Sequence, residues 1–325
     1  MKVDPNAQLE QVGTSPVHQA LDTVEASLAC DNVAAARAST SIVTDLVIAG
    51  ADLHELDEHG RTPLIRAAMN EMPSFLVSLM LEFGSSANAR DRQKNTALHH
   101  AATRALSDET ANLDTIQVLV VHGADQSLRN RRGRTPLHEA ISFGRLQCAQ
   151  MLLDYGANLE TTDSNGWTPL FGAVVQGSAV LTKLMCDRGA VVDKKDRSGQ
   201  TALRYAISQG CGEVAEALLE AGADVNLVTK GETPLCQATS KSNLSLLELL
   251  LARDADVSLP SPSYCDALPI HIAAMGRDPA ILEVLLRAGS PINARDAEGR
   301  TPLRWAINDG GGEMVHFLFS KGAAK

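Results

Sequence analysis

The sequence predicts an all-α solenoid, a stack of short helix–turn–helix units, and three observations carry that prediction. A Thr-Pro-Leu signal recurs at an interval near 33 residues, a second Gly-Ala signal keeps step with it, and burial must rely on small and aliphatic side chains. Hydrophobic residues make up 44% of the 325-residue chain and aromatics only 3%. That balance suits closely packed helices better than a sandwich. A chain of this length could also form two ordinary domains, but an array grows along its length instead of thickening its core.

The first signal reads GRTPLIRAA from Gly60, KNTALHHAA from Lys94, GRTPLHEAI from Gly133 and GWTPLFGAV from Gly166. It continues as GQTALRYAI from Gly199, GETPLCQAT from Gly231, DALPIHIAA from Asp266 and GRTPLRWAI from Gly299. Its phase positions are Thr62, Thr96, Thr135, Thr168, Thr201, Thr233, Leu268 and Thr301. The second signal runs through FGSSAN, HGADQS, YGANLE, RGAVVD, AGADVN, RDADVS, AGSPIN and KGAAK. Eight units follow over residues 60–325, the second enlarged by about six residues around Ser107 to Asn112.

Each unit has a mechanical reading. Thr caps a helix that Pro opens, because a first-turn residue has no use for its N–H. Gly144, Gly177 and Gly210 share one phase and permit the left-handed turn that stops this helix. A second, Leu-rich helix ends at the Gly-Ala signal, where Asp254 replaces glycine in the sixth unit. Polar stretches such as Asp163-Ser164-Asn165-Gly166 then form a projecting hairpin.

The pattern resembles the ankyrin repeat, whose motif is close to G-x-TPLHxAA followed by a Leu-rich helix and GADVN, and the resemblance covers residues 60–325. Residues 15–59 read as a degenerate amino-terminal capping repeat, with SPVHQA from Ser15 and IAGADL from Ile48 as weakened signals. Its surplus length is expected as an enlarged loop near Cys30 to Asn32, and residues 1–14 as a flexible tail. MKVDPNAQLE has no apolar stretch that could serve as a secretory signal, and no apolar run approaches the roughly 20 residues that span a bilayer. A soluble protein of the cytoplasm, the nucleus or both is expected, monomeric on its own.

Chemistry is not expected from this chain. His18, His99, His138 and His271 share one phase, which places them on successive layers about 10 Å apart, too far to share an ion. The resemblance assigns this histidine to a hydrogen-bond network with the neighbouring threonine. Gly210, Gly212 and Ala215 spell GxGxxA, but at an inter-helix turn and not after a strand. No nucleotide loop, HExxH, GxSxG or calcium loop occurs, so neither cofactor nor metal nor enzymatic activity is expected. The cysteines Cys30, Cys148, Cys186, Cys211, Cys236 and Cys265 form no CxxC pair and are expected reduced and mostly buried. Asn226, in LLEAGADVN, resembles the context of asparaginyl hydroxylation in ankyrin repeats and is also ordinary turn chemistry.

Function should therefore lie in protein binding, as an adaptor, scaffold or regulatory subunit, with transcriptional co-regulation one role that the family offers. A substrate receptor of a ubiquitin ligase is the alternative, although no F-box or SOCS-like box is found, and an enzyme assembled on the solenoid is the remote one. The resemblance places binding on the concave face, at positions flanking the hairpin glycine and at the end of the first helix. Those positions hold Arg90, Arg92 and Arg104, then Arg129, Arg131, Arg132, Arg134 and Phe143, then Trp167 and Gln176, then Lys195 and Arg197. A run of arginines in a chain of formal net charge -10 is a local enrichment, next to an acidic hairpin with Asp52, Glu55, Asp57 and Glu58. Solvated turns, a groove for an acidic protein segment, a nuclear-import signal at Arg129 to Arg134 and nucleic acid are all open readings. Trp167 is expected to stand unburied on a hairpin tip as an interface anchor, and Trp305 to belong to the core.

Overall fold

A computed structural model describes residues 15–30, 33–70, 72–104, 109–276 and 278–324. The chain divides into two compact units, Met1–Ser164 and Asn165–Lys325. In the first, the helices are α1 (Pro16–Ala29), α2 (Val33–Ile48), α3 (Pro63–Met69), α4 (Ser74–Glu82), α5 (Ala97–Thr103), α6 (Glu109–Val121), α7 (Pro136–Ser142) and α8 (Leu146–Asp154). In the second they are α9 (Pro169–Val175), α10 (Ala179–Asp187), α11 (Ala202–Gln209), α12 (Gly212–Glu220), α13 (Pro234–Ser240), α14 (Leu244–Ala252), α15 (Pro269–Met275), α16 (Pro279–Arg287), α17 (Pro302–Asp309) and α18 (Gly312–Ser320).

Thr62, Thr168, Thr201, Thr233 and Thr301 cap their helices through the side-chain oxygen, and Thr96 and Thr135 do so within a reciprocal box completed by His99 and His138. Where Leu268 takes that phase, His271 still turns Nδ1 onto the Leu268 N–H at 3.1 Å. The glycines at 144, 177 and 210 have φ of 69°, 71° and 73°, and Asp254 adopts 63° in the place of a glycine. Phase and backbone conformation agree at these positions.

Within the first unit α1, α3, α5 and α7 pack in one row and α2, α4, α6 and α8 in another. The leucine of each Thr-Pro-Leu signal, Leu64, Leu98 and Leu137, is fully buried, beside Ala67, Ala101 and Ala140 on the following turn. Burying each leucine stabilises the stack by about 2 kcal/mol, and the alanines let the rows close. Leu170, Leu203, Leu235, Ile270 and Leu303 repeat this arrangement within the second unit.

The surplus length of residues 15–59 goes into helices of 14 and 16 residues, where the repeats that follow use seven and nine. This corrects the expected enlarged loop: the stretches around Ala34 to Thr40 hold good helix formers and no glycine to stop them. Asp31 and Asn32, like the expected tail at 1–14, lie outside the described residues. The surplus of the second repeat likewise lengthens α6 to 13 residues, and residues 105–108 lie outside the description.

The hairpins are tight turns without regular strands among the described residues; only isolated bridges join Thr229 to Glu232 and Ser261 to Ala267. Five of them are each organised by one buried or partly buried acceptor. Asp57 accepts from the Arg61 N–H at 2.8 Å, Asp91 from Asn95, Asn130 from Arg134, Asp196 from Gln200 and Asp296 from Arg300. One backbone bond then ties a hairpin to the next, as from the Arg131 N–H to the Gln93 carbonyl at 2.9 Å and from Ser164 to Arg132 at 3.0 Å. Within the second unit the Arg197, Ser263 and Ala297 N–H groups do the same.

Close approach between hairpins makes some glycines obligatory. A Cβ on Gly166, at φ 81°, would stand 2.7 Å from Arg197 Cγ and 2.8 Å from its backbone nitrogen, whereas one on Gly189, at φ 85°, meets open space. Gly189→Ala should thus cost about 1 kcal/mol for left-handed backbone alone. Gly166→Ala should cost clearly more, about 2–3 kcal/mol, because a contact closer than van der Waals distance is added to the same backbone term. Urea unfolding of the two variants checks this; equal losses would mean that the hairpins yield freely.

Histidine burial makes stability depend on pH. His99 Nδ1 accepts from the Thr96 N–H at 3.1 Å, so the proton sits on Nε2 and is donated to the Arg134 carbonyl at 3.0 Å. Burial pushes its pKa down to about 4, while an unfolded histidine titrates near ~6.5. As pH falls from about 6.5 towards 4 the unfolded chain takes up this proton first, and about 3 kcal/mol of stability is lost. Burial lowers His18 and His271 in the same sense. Melting temperature should fall between pH 7 and 4.5, and less steeply for His99→Gln; parallel curves would refute the assignment.

Candidate protein-binding site

In the first unit α5, α7 and the two hairpins before them enclose a cleft of about 320 Å³. Its floor is a chain of hydrogen bonds. His100 Nε2 meets Asp91 Oδ2 at 2.8 Å, the Asn130 amide donates to Asn95 Oδ1 at 3.0 Å and to Glu139 Oε1 at 2.7 Å, and Arg134 stands 3.8 Å from Glu139. Burial opposes the charge on Asp91, but the bonds from His100 and Asn95 outweigh it and hold its carboxyl below the usual range.

The rim differs from the floor. Arg131 and Arg132 are exposed and make no ion pair among the described residues, although their backbone is fixed by the bonds to Gln93 and Ser164. Phe143, the cap residue ending α7, is 52% exposed and forms an apolar wall. Gln93, Asn95, His100 and Thr103 complete the lining. Sequence reasoning nominated Arg131, Arg132 and Phe143 here as contact residues and not the other seven, among them His99, Asn130 and Glu139. Their signal was present: Asn95 and His100 flank the Thr96 phase position, on the side that the next hairpin faces.

The remaining arginines of the first unit divide by role. Arg90 and Arg92 are exposed, and the Arg92 stem crosses Gly60, where a Cβ would lie 2.9 Å from its Cγ. Arg129 is exposed and turns Nε back onto the Gly133 carbonyl at 2.8 Å. Arg104 is half-buried, with Nη1 3.4 Å from the Ala68 carbonyl. Arg134 is held inward between Glu139 and Asp163, at 3.8 and 3.6 Å, so it braces the hairpin and does not face a partner.

In the second unit Gln176, Lys195 and Arg197 are exposed. Trp167 is not the free tip that its position suggested. Its ring stacks on Phe171 at 5.4 Å and meets Tyr205 edge-on at 6.5 Å, and its Nε1–H donates to Asp196 Oδ2 at 3.3 Å. With only 3% aromatics in the chain, neighbouring repeats supply partners that a single repeat does not reveal. Trp305 departs from expectation in the opposite direction. It is half-buried, lies under the Arg300 guanidinium at 5.1 Å, donates to Asp296 at 2.9 Å and lines a cleft of about 250 Å³ with Met275, Asn308 and Asp309.

Other candidate positions are structural. His138 Nδ1 lies 2.9 Å from Thr135 Oγ1, and His271 Nε2 lies 3.1 Å from the Ala294 and Arg300 carbonyls. Asn226 follows turn chemistry, donating its N–H to Asp224 at 2.8 Å and accepting from the Asp256 N–H at 2.9 Å. Gly210 caps α11 and Gly212 opens α12, which makes the GxGxxA run an inter-helix turn. The cysteines are less buried than expected. Cys148 and Cys236 are enclosed, Cys186 and Cys211 are partly covered, and Cys30 and Cys265 are exposed because they fall in turns. No group of three His, Cys, Asp or Glu able to hold a metal occurs among the described residues, nor does a helix long and apolar enough to cross a membrane.

Comparison with known proteins places this geometry. A solved structure of the ankyrin repeat domain of Bcl-3, described as a unique member of the IkappaB protein family, superposes with a TM-score of 0.61 and 28% identity over 74% of this chain and 99% of its own. The B-cell lymphoma 3 protein homolog of Mus musculus is 38% identical over 94 residues, 29% of this chain and 19% of that protein. The E3 ubiquitin-protein ligase Ufd4 of Drosophila melanogaster is 35% identical over 103 residues, 30% of this chain and 4% of that protein. The chain thus spans a fifth or less of the length of these curated relatives. The family model for ankyrin repeats matches residues 32–113, 105–196, 156–229, 181–261 and 235–325. Repeat period, capped helix pairs and hairpin turns agree with that match, and the chain belongs to the ankyrin-repeat family.

Proposed function

We propose that this protein works by binding another protein, as an adaptor, scaffold or regulatory subunit, and not by catalysis. The observation that carries the reading is the set of exposed guanidinium groups at Arg92, Arg131 and Arg132, which make no ion pair among the described residues, with Arg90 exposed beside them, on hairpins whose backbone is hydrogen-bonded in place. Cations held on a rigid frame and left exposed are arranged for carboxylates brought by a partner. The net charge of -10 disfavours nucleic acid as that partner. Cys30 and Cys265, exposed and free, suit a reducing cytoplasmic or nuclear setting.

The similarity to Bcl-3 over 74% of the chain supports a regulatory role of the kind that transcriptional co-regulators fill. In the second unit Lys195, Arg197 and Gln176 extend the set of exposed contact positions. Trp167 contributes there through a half-buried ring.

Affinity capture from native extract, with Arg131→Glu combined with Arg132→Glu as the control, tests the proposal. The wild-type protein should retain an acidic partner that the double variant loses, with circular dichroism unchanged because both side chains are exposed. Association should slow several-fold and lose much of its dependence on salt. Trp167→Ala should lower the melting temperature as well as any affinity, since it removes the stack on Phe171. Retention of the same partners by the double variant would move the interface elsewhere, and turnover of a substrate by the purified protein would overturn the reading.

A further inference from the structure

The cleft between α5 and α7 has a division of charge that specifies more than an acidic partner. One carboxylate, Glu139, lines it, engaged by Asn130 and Arg134, and a second, Asp91, lies behind the lining as the partner of His100. A phosphate or carboxylate pushed to that depth would meet like charge at Glu139. The lining's cations, Arg131 and Arg132, stand at the rim and make no ion pair among the described residues, and its large apolar surface is the exposed Phe143 ring. A volume of about 320 Å³ is that of one large side chain with its backbone and not of an extended chain.

We propose that the cleft reads a bipartite peptide motif: one uncharged aromatic or large aliphatic side chain enters and packs on Phe143, while carboxylates beside it in sequence remain at the rim and pair with Arg131 and Arg132. The inference rests on the protein-binding reading above and narrows it to a sequence class. Insertion is favourable because Phe143 is half-exposed without a ligand and loses that exposure with one. Pairing at the rim is bidentate and remains wet, so it contributes steering and register more than depth of binding. Nucleic acid fits poorly, since each inserted base would bring its phosphate towards Glu139.

Fluorescence anisotropy with the full chain tests the motif, with two labelled nonapeptides of alternating glutamate and aspartate as probes, one with phenylalanine at the centre and one with serine. The phenylalanine peptide should bind at least tenfold more tightly. Phe143→Ala should abolish that difference and leave the serine peptide unaffected, and Phe143, being exposed, is replaceable without unfolding the helix. Arg131→Gln with Arg132→Gln should weaken both peptides at least fivefold and flatten their salt dependence. Equal binding of the two peptides by wild type, or a preserved preference in Phe143→Ala, overturns the cleft motif while leaving an acidic partner in place, provided that the arginine variant still weakens both. If the arginine variant binds both as wild type does, or if wild type binds neither at millimolar concentration, the basic face itself is refuted along with the motif. Preference for a single-stranded oligonucleotide over both peptides would likewise overturn it.

Discussion

The backbone hydrogen bond from one hairpin to the next is the interaction on which the rest of each unit depends. Helix pairs of seven and nine residues are too short to be stable alone, so their order comes from neighbours. Leucine burial supplies most of the energy, but it is not directional and would tolerate a slip of one pair along another. The bond from Arg131 to Gln93, with its counterparts, removes that freedom, and here it joins turns that Asp91 and Asn130 have closed. Side chains at the tips inherit the resulting position. Arg131 and Arg132 are therefore held in place at their backbone although their guanidinium groups touch nothing acidic.

Most of the fold could be read from the chain because a repeat states its own phase. Thr135, Gly144 and Gly156 each fall at positions where only a cap or a left-handed turn makes sense, and the structure uses them so. What the phase did not convey was side-chain direction. Arg134 and Arg132 are two residues apart on one hairpin, yet one turns in to Glu139 and Asp163 and the other out to solvent. Trp167 was misjudged for the same reason, since its partners Phe171 and Tyr205 belong to different helices and nothing in one repeat links them. The cleft was half legible. Its rim lay on hairpin positions that the family pattern marks, while its floor depends on Asn130 reaching two neighbours at once.

Charge at the hairpins serves two separate purposes, and their separation explains why a basic surface persists in an acidic protein. Asp57, Asp196 and Asp296 are turn-forming groups whose lowered pKa reflects donors, chiefly from Arg61, Gln200 and Arg300, that overcome the cost of burial. These acids are spent within their own turns. Cations at the neighbouring positions are left without them, and self-repulsion among the exposed Arg92, Arg131 and Arg132 is screened chiefly by solvent.

Arg66 gives the amino-terminal helix pair a different kind of attachment. Its nearly buried guanidinium reaches the His18 carbonyl at 3.3 Å and pairs with Asp22 and with Glu25, the latter at 3.1 Å. Both acids are about half exposed. The joint between α1 and α3 is consequently a seam sealed in part by charge, where the interior joints are sealed by leucine and alanine. Opening such a seam hands a guanidinium back to water, which hydrates it well, so parting there costs less than a cut through an apolar layer. An opening at this joint would leave the remaining layers of the first unit intact.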